Sequence, residues 1–449
     1  MASVTASFTI DGSYRRYDRV VIGGSPLRLF RLSAGGQRVV EAIELQQPLP
    51  PGHAALTDRL VEAGAIHPAP TESLFTAADV TVVIPAFNAR PNVPGEYGGV
   101  IVVDDASDPP LEPLAGALMI RLARNSGPGA ARNAGLAEVT TPLVAFVDTD
   151  VDVDGDWLSR LLPHFNDPLV ALVAPRVGCS EGSTTLAQYE MVRSPLDLGD
   201  QPARVAAGSR VSYVPAAALL VRSDALRAIG GFDESLRTGE DVDMVWRLLD
   251  AGHRCRYEPA SVVHHRPRPS FALWARQRLA YGRSAASLDR KHPGAVAPLR
   301  MSGWSAAVWG LVLMRRPVAA VAIAAGTVVA LQRKLGDVPP AESVRLAGLG
   351  HLYAGRQVGS AITRVWWPLA LCAAVVCRRT RLPLLGAAIT PPLLDWLARR
   401  GPLDPTRYVA LRLVDDVAYG AGVWIGVIDE RSIGALAPKF TNWPGRTAG

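Results

Sequence analysis

Leu143-Val144-Ala145-Phe146-Val147-Asp148-Thr149-Asp150 is the stretch on which the reading of this chain turns. Five apolar residues run without interruption and end in two carboxylates spaced by one residue. A continuous apolar run marks a strand covered on both faces, as in parallel sheets. In such sheets ligands bind outside the carboxyl ends of the strands, where this acidic pair would sit. Hard oxygen ligands at that spacing suit Mg²⁺ or Mn²⁺ held jointly with phosphate oxygens. Acidic turns after strands are common, so the pair alone is a weak signal. Asp152 and Asp154 either belong to the same acidic loop or are simply solvated.

Upstream the pattern repeats. Val80-Thr81-Val82-Val83-Ile84 is a β-branched run stopped by Pro85, and Gly99-Val100-Ile101-Val102-Val103 is a second, ended by Asp104-Asp105. Residues 117–122 make a third, and residues 129–139 read as an Ala-rich helix opened by Gly127-Pro128. Strands alternating with helices predict an α/β fold, a mostly parallel sheet with helices on both faces. A carboxylate at Asp104-Asp105 can accept hydrogen bonds from a base or ribose. Glycines in Asn125-Ser126-Gly127-Pro128-Gly129-Ala130-Ala131-Arg132-Asn133-Ala134-Gly135 permit close approach of a ligand, to which Arg132 can offer charge-assisted bonds. An ordinary strand-to-helix turn would use the same glycines.

Downstream, Thr238-Gly239-Glu240-Asp241-Val242-Asp243-Met244-Val245-Trp246 opens a helix with an apolar stripe of Val242, Val245, Trp246 and Leu249. That leaves Glu240 and Asp241 at an exposed N-terminus, where the helix dipole favours carboxylates and simple capping is the plainer use. His264-His265 follow the strand Ser261-Val262-Val263, and either ring could complete a metal site.

Taken in order, these pieces resemble an inverting, GT-A-fold glycosyltransferase of family 2, over about residues 80–290. The series is Ile84-Pro85, Val103-Asp104-Asp105, the Gly127 to Gly135 segment with Arg132-Asn133, Asp148-Thr149-Asp150, Gly230-Gly231-Phe232-Asp233-Glu234, Gly239-Glu240-Asp241 and His264-His265. The resemblance implies that Asp105 contacts the uridine beside the Pro85, Ala86 and Phe87 backbone, and that Arg132 helps anchor the nucleotide. It implies that Asp150, assisted by Asp148, holds the divalent ion on the diphosphate, with His264 joining. It places Phe232 and Asp233 beside the acceptor and makes Asp241 the catalytic base, next to Glu240. Within the family the chain is most similar to the mycofactocin-system glycosyltransferases, which implies glucosylation of a peptide-derived redox cofactor precursor from UDP-glucose, forming β-glucosides. A rhamnosyl-, galactofuranosyl- or mannosyl-transferase acting on a cell-wall lipid or glycan is the alternative; a non-catalytic nucleotide-binding scaffold is a third. Two departures stand out. The 85–97 connection is short and holds Pro91, Pro94 and Gly95, so the usual first helix is truncated, and Ala280-Tyr281 follow Gln277 where processive synthases carry Arg-Trp.

The remainder bounds the answer. A chain of 449 residues, 49% hydrophobic and 20% charged, can bury a sizeable core and suggests about three structural units. These are a winged-helix-like module over 1–77, which either recognises the acceptor or caps the sheet, the catalytic domain over 78–295, and a helical region over 296–449. Strand pieces fall at 17–22 and 26–32, and helical pieces at 36–45 and 54–65. Four cysteines without C-x-x-C spacing form no disulfide framework, and residues 1–5 lack the basic, apolar start of a signal peptide. Neither a nucleophile elbow nor a phosphate-binding G-x-x-x-x-G-K-[ST] loop occurs. The net charge is +6, yet residues 300–400 hold thirteen Lys and Arg against three acids, a local +10. Those charges interrupt Trp-containing apolar runs, none of which reaches the ~18 residues of a transmembrane helix. The pattern fits an anionic membrane surface better than nucleic acid, so attachment at the cytoplasmic face of the membrane is expected. A helical domain packing its own core is the plainer alternative.

Overall fold

The computed structural model describes residues 7–92 and 95–441, so the readings placed on residues 1–5 and on Pro94 lie outside the described residues. Contacts divide the chain into two compact units: 1–182 with 193–267, and 183–192 with 268–449. The first 77 residues thus cluster with the catalytic sheet, and the helical unit starts earlier than residue 296.

The first unit opens with strands β1 (Phe8–Ile10), β2 (Arg15–Tyr17), β3 (Val20–Gly23) and β4 (Arg28–Arg31), then helices α1 (Ala34–Glu44) and α2 (Ala54–Ala63) and strand β5 (Ile66–Pro68). β2, β3 and β4 form an antiparallel meander, and β5 pairs with β1. Ser33 caps α1 by accepting from the Gly36 amide at 3.1 Å. Gly64 ends α2 in the left-handed region at φ +71°, a conformation glycine adopts without strain. Val21, Phe30, Leu60 and Ile66 share a small core of their own. Ion pairs join this module to the catalytic sheet: Glu62 to Arg254 at 2.9 Å and to Arg204 at 3.4 Å. Buried Asp11 receives His67 at 2.9 Å and Arg210 at 3.0 Å. Burial alone would lift the Asp11 carboxyl, but the bonds from His67 and Ser13, with the Arg210 charge, hold it well below the ordinary carboxylate range.

The catalytic sheet uses β6 (Val80–Ala86), β7 (Gly99–Asp104), β8 (Leu118–Arg121), β9 (Leu143–Val147), β10 (Val151–Asp152), β11 (Val170–Cys179), β12 (Ala203–Arg204), β13 (Ala218–Arg222) and β14 (Arg254–His265). Its order is β10-β14-β11-β13-β9-β6-β7-β8, with β12 on β14; β10, β12 and β13 run antiparallel to their neighbours. Every residue of β9 is fully buried, as an uninterrupted apolar run requires at the centre of a covered sheet. Helix α3 (Pro128–Glu138) packs so closely on β6 that a Cβ at Gly135 would come within 2.3 Å of Val83 Cγ1. Helix α5 (Ser223–Ala228) follows β13, and α6 (Glu240–Asp250) precedes β14. No helix occurs among the described residues between β6 and β7, as the short connection implied.

The second unit comprises α4 (Thr185–Arg193), which leaves the first unit between β11 and β12, then α7 (Phe271–Lys291), α8 (Gly303–Leu313), α9 (Pro317–Lys334), α10 (Pro340–Arg364), α11 (Trp367–Val376), α12 (Arg381–Arg399) and α13 (Pro405–Glu430). α7 and α13 cross with backbones nearly touching: a Cβ at Gly282 would lie 1.9 Å from the Tyr419 carbonyl oxygen, and one at Gly422 2.0 Å from that of Leu279. A buried ionic network locks α4 in place. Arg278 bonds Glu190 on α4 and, at 3.1 Å, Asp415 on α13, while the Tyr189 hydroxyl donates to Asp415 at 2.9 Å.

Candidate active site

The edge of the sheet where β6, β7, β9, β11 and β14 end collects the acidic residues. Because β13 runs antiparallel beside β9, with Ala218 opposite Val147, the residues just before β13 lie next to those just after β9. The Asp148 amide accordingly donates to the Ala217 carbonyl at 2.9 Å. The amide of Ala216 points the other way, donating to Asp241 Oδ2 at 3.2 Å.

Arg132 organises this edge. Its Nη1 donates to Glu240 Oε1 and its Nη2 to Asp148 Oδ1, both at 2.7 Å, and the guanidinium lies 5.4 Å from the Phe232 ring centroid. One buried cation on α3 therefore ties the first turn of α6 to the loop after β9. The sequence expectation for Arg132 is a nucleotide anchor. Arg132 is 3% exposed and its fork is committed to two carboxylates, because it lies on the inner side of α3. Glu240 is likewise buried, not exposed at a capping position, since it supplies one of those carboxylates.

Burial, with the neighbouring Asp241 charge, pushes the Glu240 carboxyl up to about 7, against the pull of Arg132. Asp241 is raised by burial too; Arg132 and the amides of Val242 and Ala216 act against that rise. Asp241 stays partly accessible at the start of α6. A carboxylate held above the ordinary range, half-open to solvent and oriented by a backbone N–H, is suited to accept a proton.

The Asp148 carboxyl is raised by burial, then lowered by Arg132 and raised by Asp150. Asp148 and Asp150 have partly exposed side chains, and the Nε2 of His265 lies 3.1 Å from Asp150 Oδ2. This corrects the choice of ring: His265, not His264, meets Asp150. Successive residues of β14 face opposite sides, and His264 is exposed, opposite Asp152 and beside Gly178. Among the described residues no three His, Cys, Asp or Glu side chains converge as a ready metal cage. The carboxylates of Asp148 and Asp150 at the strand end still fit a divalent cation of the Mg²⁺ or Mn²⁺ type, which takes few protein ligands and completes its shell with phosphate and water.

Asp105 is buried, and its two oxygens accept the amides of Ser126 at 2.7 Å and Gly127 at 2.8 Å. It fixes the loop that opens α3; a base could use only its remaining lone pairs. Asp104 takes the Ser107 amide at 2.8 Å and Arg121, and is held below its ordinary range by those bonds against burial. Ala86 is buried and accepts the Asp105 amide at 2.8 Å, Pro85 is partly buried, and Phe87 stands exposed at the rim.

The sequence expectation places Phe232 on the acceptor side. Phe232 is 2% exposed and packs edge-on to Phe146 at 5.1 Å, so it is core. Asp233 is partly exposed and accepts the Ser235 amide at 2.8 Å. Asn133 clamps the preceding turn through the Phe232 amide and carbonyl, both at 2.8 Å. A Cβ at Gly231, where φ is +72°, would collide with Asn133 Oδ1 at 2.4 Å.

The pattern described as glycosyl transferase family 2 matches residues 99–229. A pre-mycofactocin glycosyltransferase of Mycobacterium tuberculosis is 41% identical over 97% of this chain and the whole of that protein. A succinoglycan biosynthesis protein, ExoO, of Rhizobium meliloti is 29% identical over 42% of this chain and 60% of its own length. Among solved structures, a mannosyltransferase from Pyrobaculum calidifontis in complex with GDP-Man and Mn²⁺ aligns with a TM-score of 0.41 and 15% identity, over 78% of this chain and 87% of that one.

Proposed function

The chain belongs to glycosyl transferase family 2, with the pre-mycofactocin glycosyltransferases, and from that premise we propose that it moves glucose from UDP-glucose to a peptide-derived redox cofactor precursor, with inversion to a β-glucoside. The observation that carries the reading is the single buried arginine joining the Asp148 loop to the Glu240-Asp241 helix start. It sets a proton acceptor and a cation-binding pair on one edge of the sheet.

Asp241 takes the proton from the acceptor hydroxyl as that oxygen attacks the anomeric carbon. The Ala216 amide orients the Asp241 carboxylate, and Arg132 holds Glu240 and Asp148 in register. Asp148 and Asp150, the latter held by His265, would bind Mg²⁺ or Mn²⁺, which supplies charge neutralisation for the departing diphosphate. The name of the M. tuberculosis relative, pre-mycofactocin glycosyltransferase, favours a mycofactocin precursor over a cell-wall glycan as the acceptor.

Calorimetry with UDP-, GDP- and dTDP-sugars, each with and without Mn²⁺, tests the donor. UDP-glucose is expected to bind tightest, and only with the ion. Asp150→Ala should weaken that Mn²⁺-dependent binding by roughly tenfold or more. Tighter binding of a GDP- or dTDP-sugar would overturn the donor assignment.

The N-terminal module serves acceptor recognition in this reading. Its small antiparallel sheet can take a peptide as an added strand, bringing the acceptor to high effective concentration near the site. A chain starting at Thr71 is expected to keep donor hydrolysis and to show a raised KM for a peptide-derived acceptor. Unchanged transfer to that acceptor would remove the role.

A further inference from the structure

The helical unit is built with its aliphatic side chains outward. On α13 the buried positions include Arg412, Asp415, Asp416, Gly420, Gly422 and Gly426, while Val414, Val417, Ile425 and Ile428 are exposed. α12 buries only Pro392 and Asp395 and exposes Leu382, Leu385, Leu393 and Leu394. α9 buries one residue, Ala320, and α11 none, although its sequence is Trp-Pro-Leu-Ala-Leu-Cys-Ala-Ala-Val-Val. A helix that faces water buries its apolar stripe and exposes its charges. Here glycine contacts, ionic pairs and small apolar clusters around Val423, Trp274 and Ala354 hold the helices together, while many aliphatic side chains remain outside, as in helices solvated by lipid.

The ends of these helices carry the complementary charge. Arg315-Arg316 separate α8 from α9, Arg333-Lys334 close α9, Arg378 and Arg379 lie between α11 and α12, and Arg381 opens α12; all are exposed. Among the described residues no single helix is long and apolar enough to cross a membrane, and the one pair that passes by length and composition, α10 with α11, is bent by 85°.

We propose that α8 to α13 seat in one leaflet of an anionic bilayer, with the exposed aliphatic side chains in the acyl region and the arginines and Lys334 at the phosphate level. The partner is the lipid itself. Val375 is 76% exposed, Val376 87% and Val318 82%, and large apolar side chains exposed in such number on one unit mark an interaction surface. Interfacial seating needs no full span, which agrees with the short and bent helices.

Flotation of the full chain with vesicles of phosphatidylcholine, with and without phosphatidylglycerol, tests this. The protein is expected to float with both and to partition roughly tenfold more strongly onto the anionic vesicles at low salt. Binding to anionic vesicles should survive 1 M salt in part, because the aliphatic contribution is not screened. Val318→Glu with Val375→Asp and Val376→Asp should reduce flotation by at least about tenfold while circular dichroism and UDP-sugar binding stay unchanged. Arg378→Glu with Arg379→Glu should abolish the preference for anionic lipid alone. An environment-sensitive label on Cys372, which is exposed on α11, should be quenched by a lipid-borne quencher in the unsubstituted protein. A monodisperse monomer in detergent-free buffer that ignores both vesicles overturns the proposal. So does a stable dimer that no longer binds vesicles, since a second copy would then cover the face.

Discussion

Asp241→Asn is expected to lower turnover by at least about a hundredfold while donor binding stays within a few-fold of the unsubstituted enzyme. General-base assistance is typically worth about 10² to 10⁴ in rate. Asparagine keeps the size and can still receive the Ala216 amide on its carbonyl oxygen, so the geometry survives and only proton acceptance is lost. Single-turnover measurements separate this from binding, because an interaction made only in the transition state changes kcat and leaves the donor Kd in place. The unsubstituted enzyme should also lose activity on acidification well above the ordinary carboxylate range. Asp241 and Glu240 are both raised by burial, with Glu240 at about 7, and the acceptor must be ionised to work. Near-normal turnover in Asp241→Asn would mean that another group accepts the proton.

Arg132→Gln is expected to destabilise the sheet by about 3 to 5 kcal/mol, the usual effect of removing one partner of a buried ion pair. Two carboxylates, Asp148 and Glu240, would be left without their 2.7 Å partner in a site where burial already lifts both. The pH dependence has a definite sign. Glu240 sits above its unfolded value of about 4.3, so the folded state favours the protonated form. Its contribution is present at low pH and is lost as pH rises through about 7. Without Arg132 the carboxyl rises further, so the deficit should grow between pH 6 and pH 8. Hydrogen exchange at the β9 amides reads this locally, where a two-unit chain would blur a global melt. A loss below about 1 kcal/mol at both pH values would show that the arginine is not the tie described here.

What could be read from the linear chain follows from the range of the forces involved. β9 was legible to the residue, because a fully covered strand announces itself as a run of neighbours: residues 143 to 147, all buried. α3 was legible within one residue at each end, since glycine and proline at its start act locally. The double role of Arg132 was not legible. Its partner Glu240 lies 108 positions away, and nothing near Arg132 marks it as buried. The packing of Phe232 was not legible for a related reason, because its neighbour Phe146 lies on β9, far away in the chain. The choice between His264 and His265 was open in principle: the two alternate across β14, and only the pairing of Asp152 with His264 and Val151 with His265 settles which ring turns toward Asp150. The Ala216 amide had no sequence signal at all, since any residue but proline offers one. Nor does anything local mark Arg278, Arg412, Asp415 and Asp416 as buried in the helical unit, since their partners lie on other helices or a turn away.

The excursion of α4 has a consequence for how this gene can change. The chain leaves the sheet unit after residue 182 and returns at 193, carrying Glu190 into the interior of the helical unit to meet Arg278 and the Trp274 indole. A recombination break near residue 268 would hand the helices to another chain without α4, stranding Arg278 opposite Asp415 alone and emptying the place of Tyr189. A break near 296 would separate α7 from α13, whose backbones meet at Gly282 and Gly422. No single cut yields two heritable parts. The two units are bound to be inherited together, and their divergence must proceed by substitution within the whole chain, not by exchange of modules.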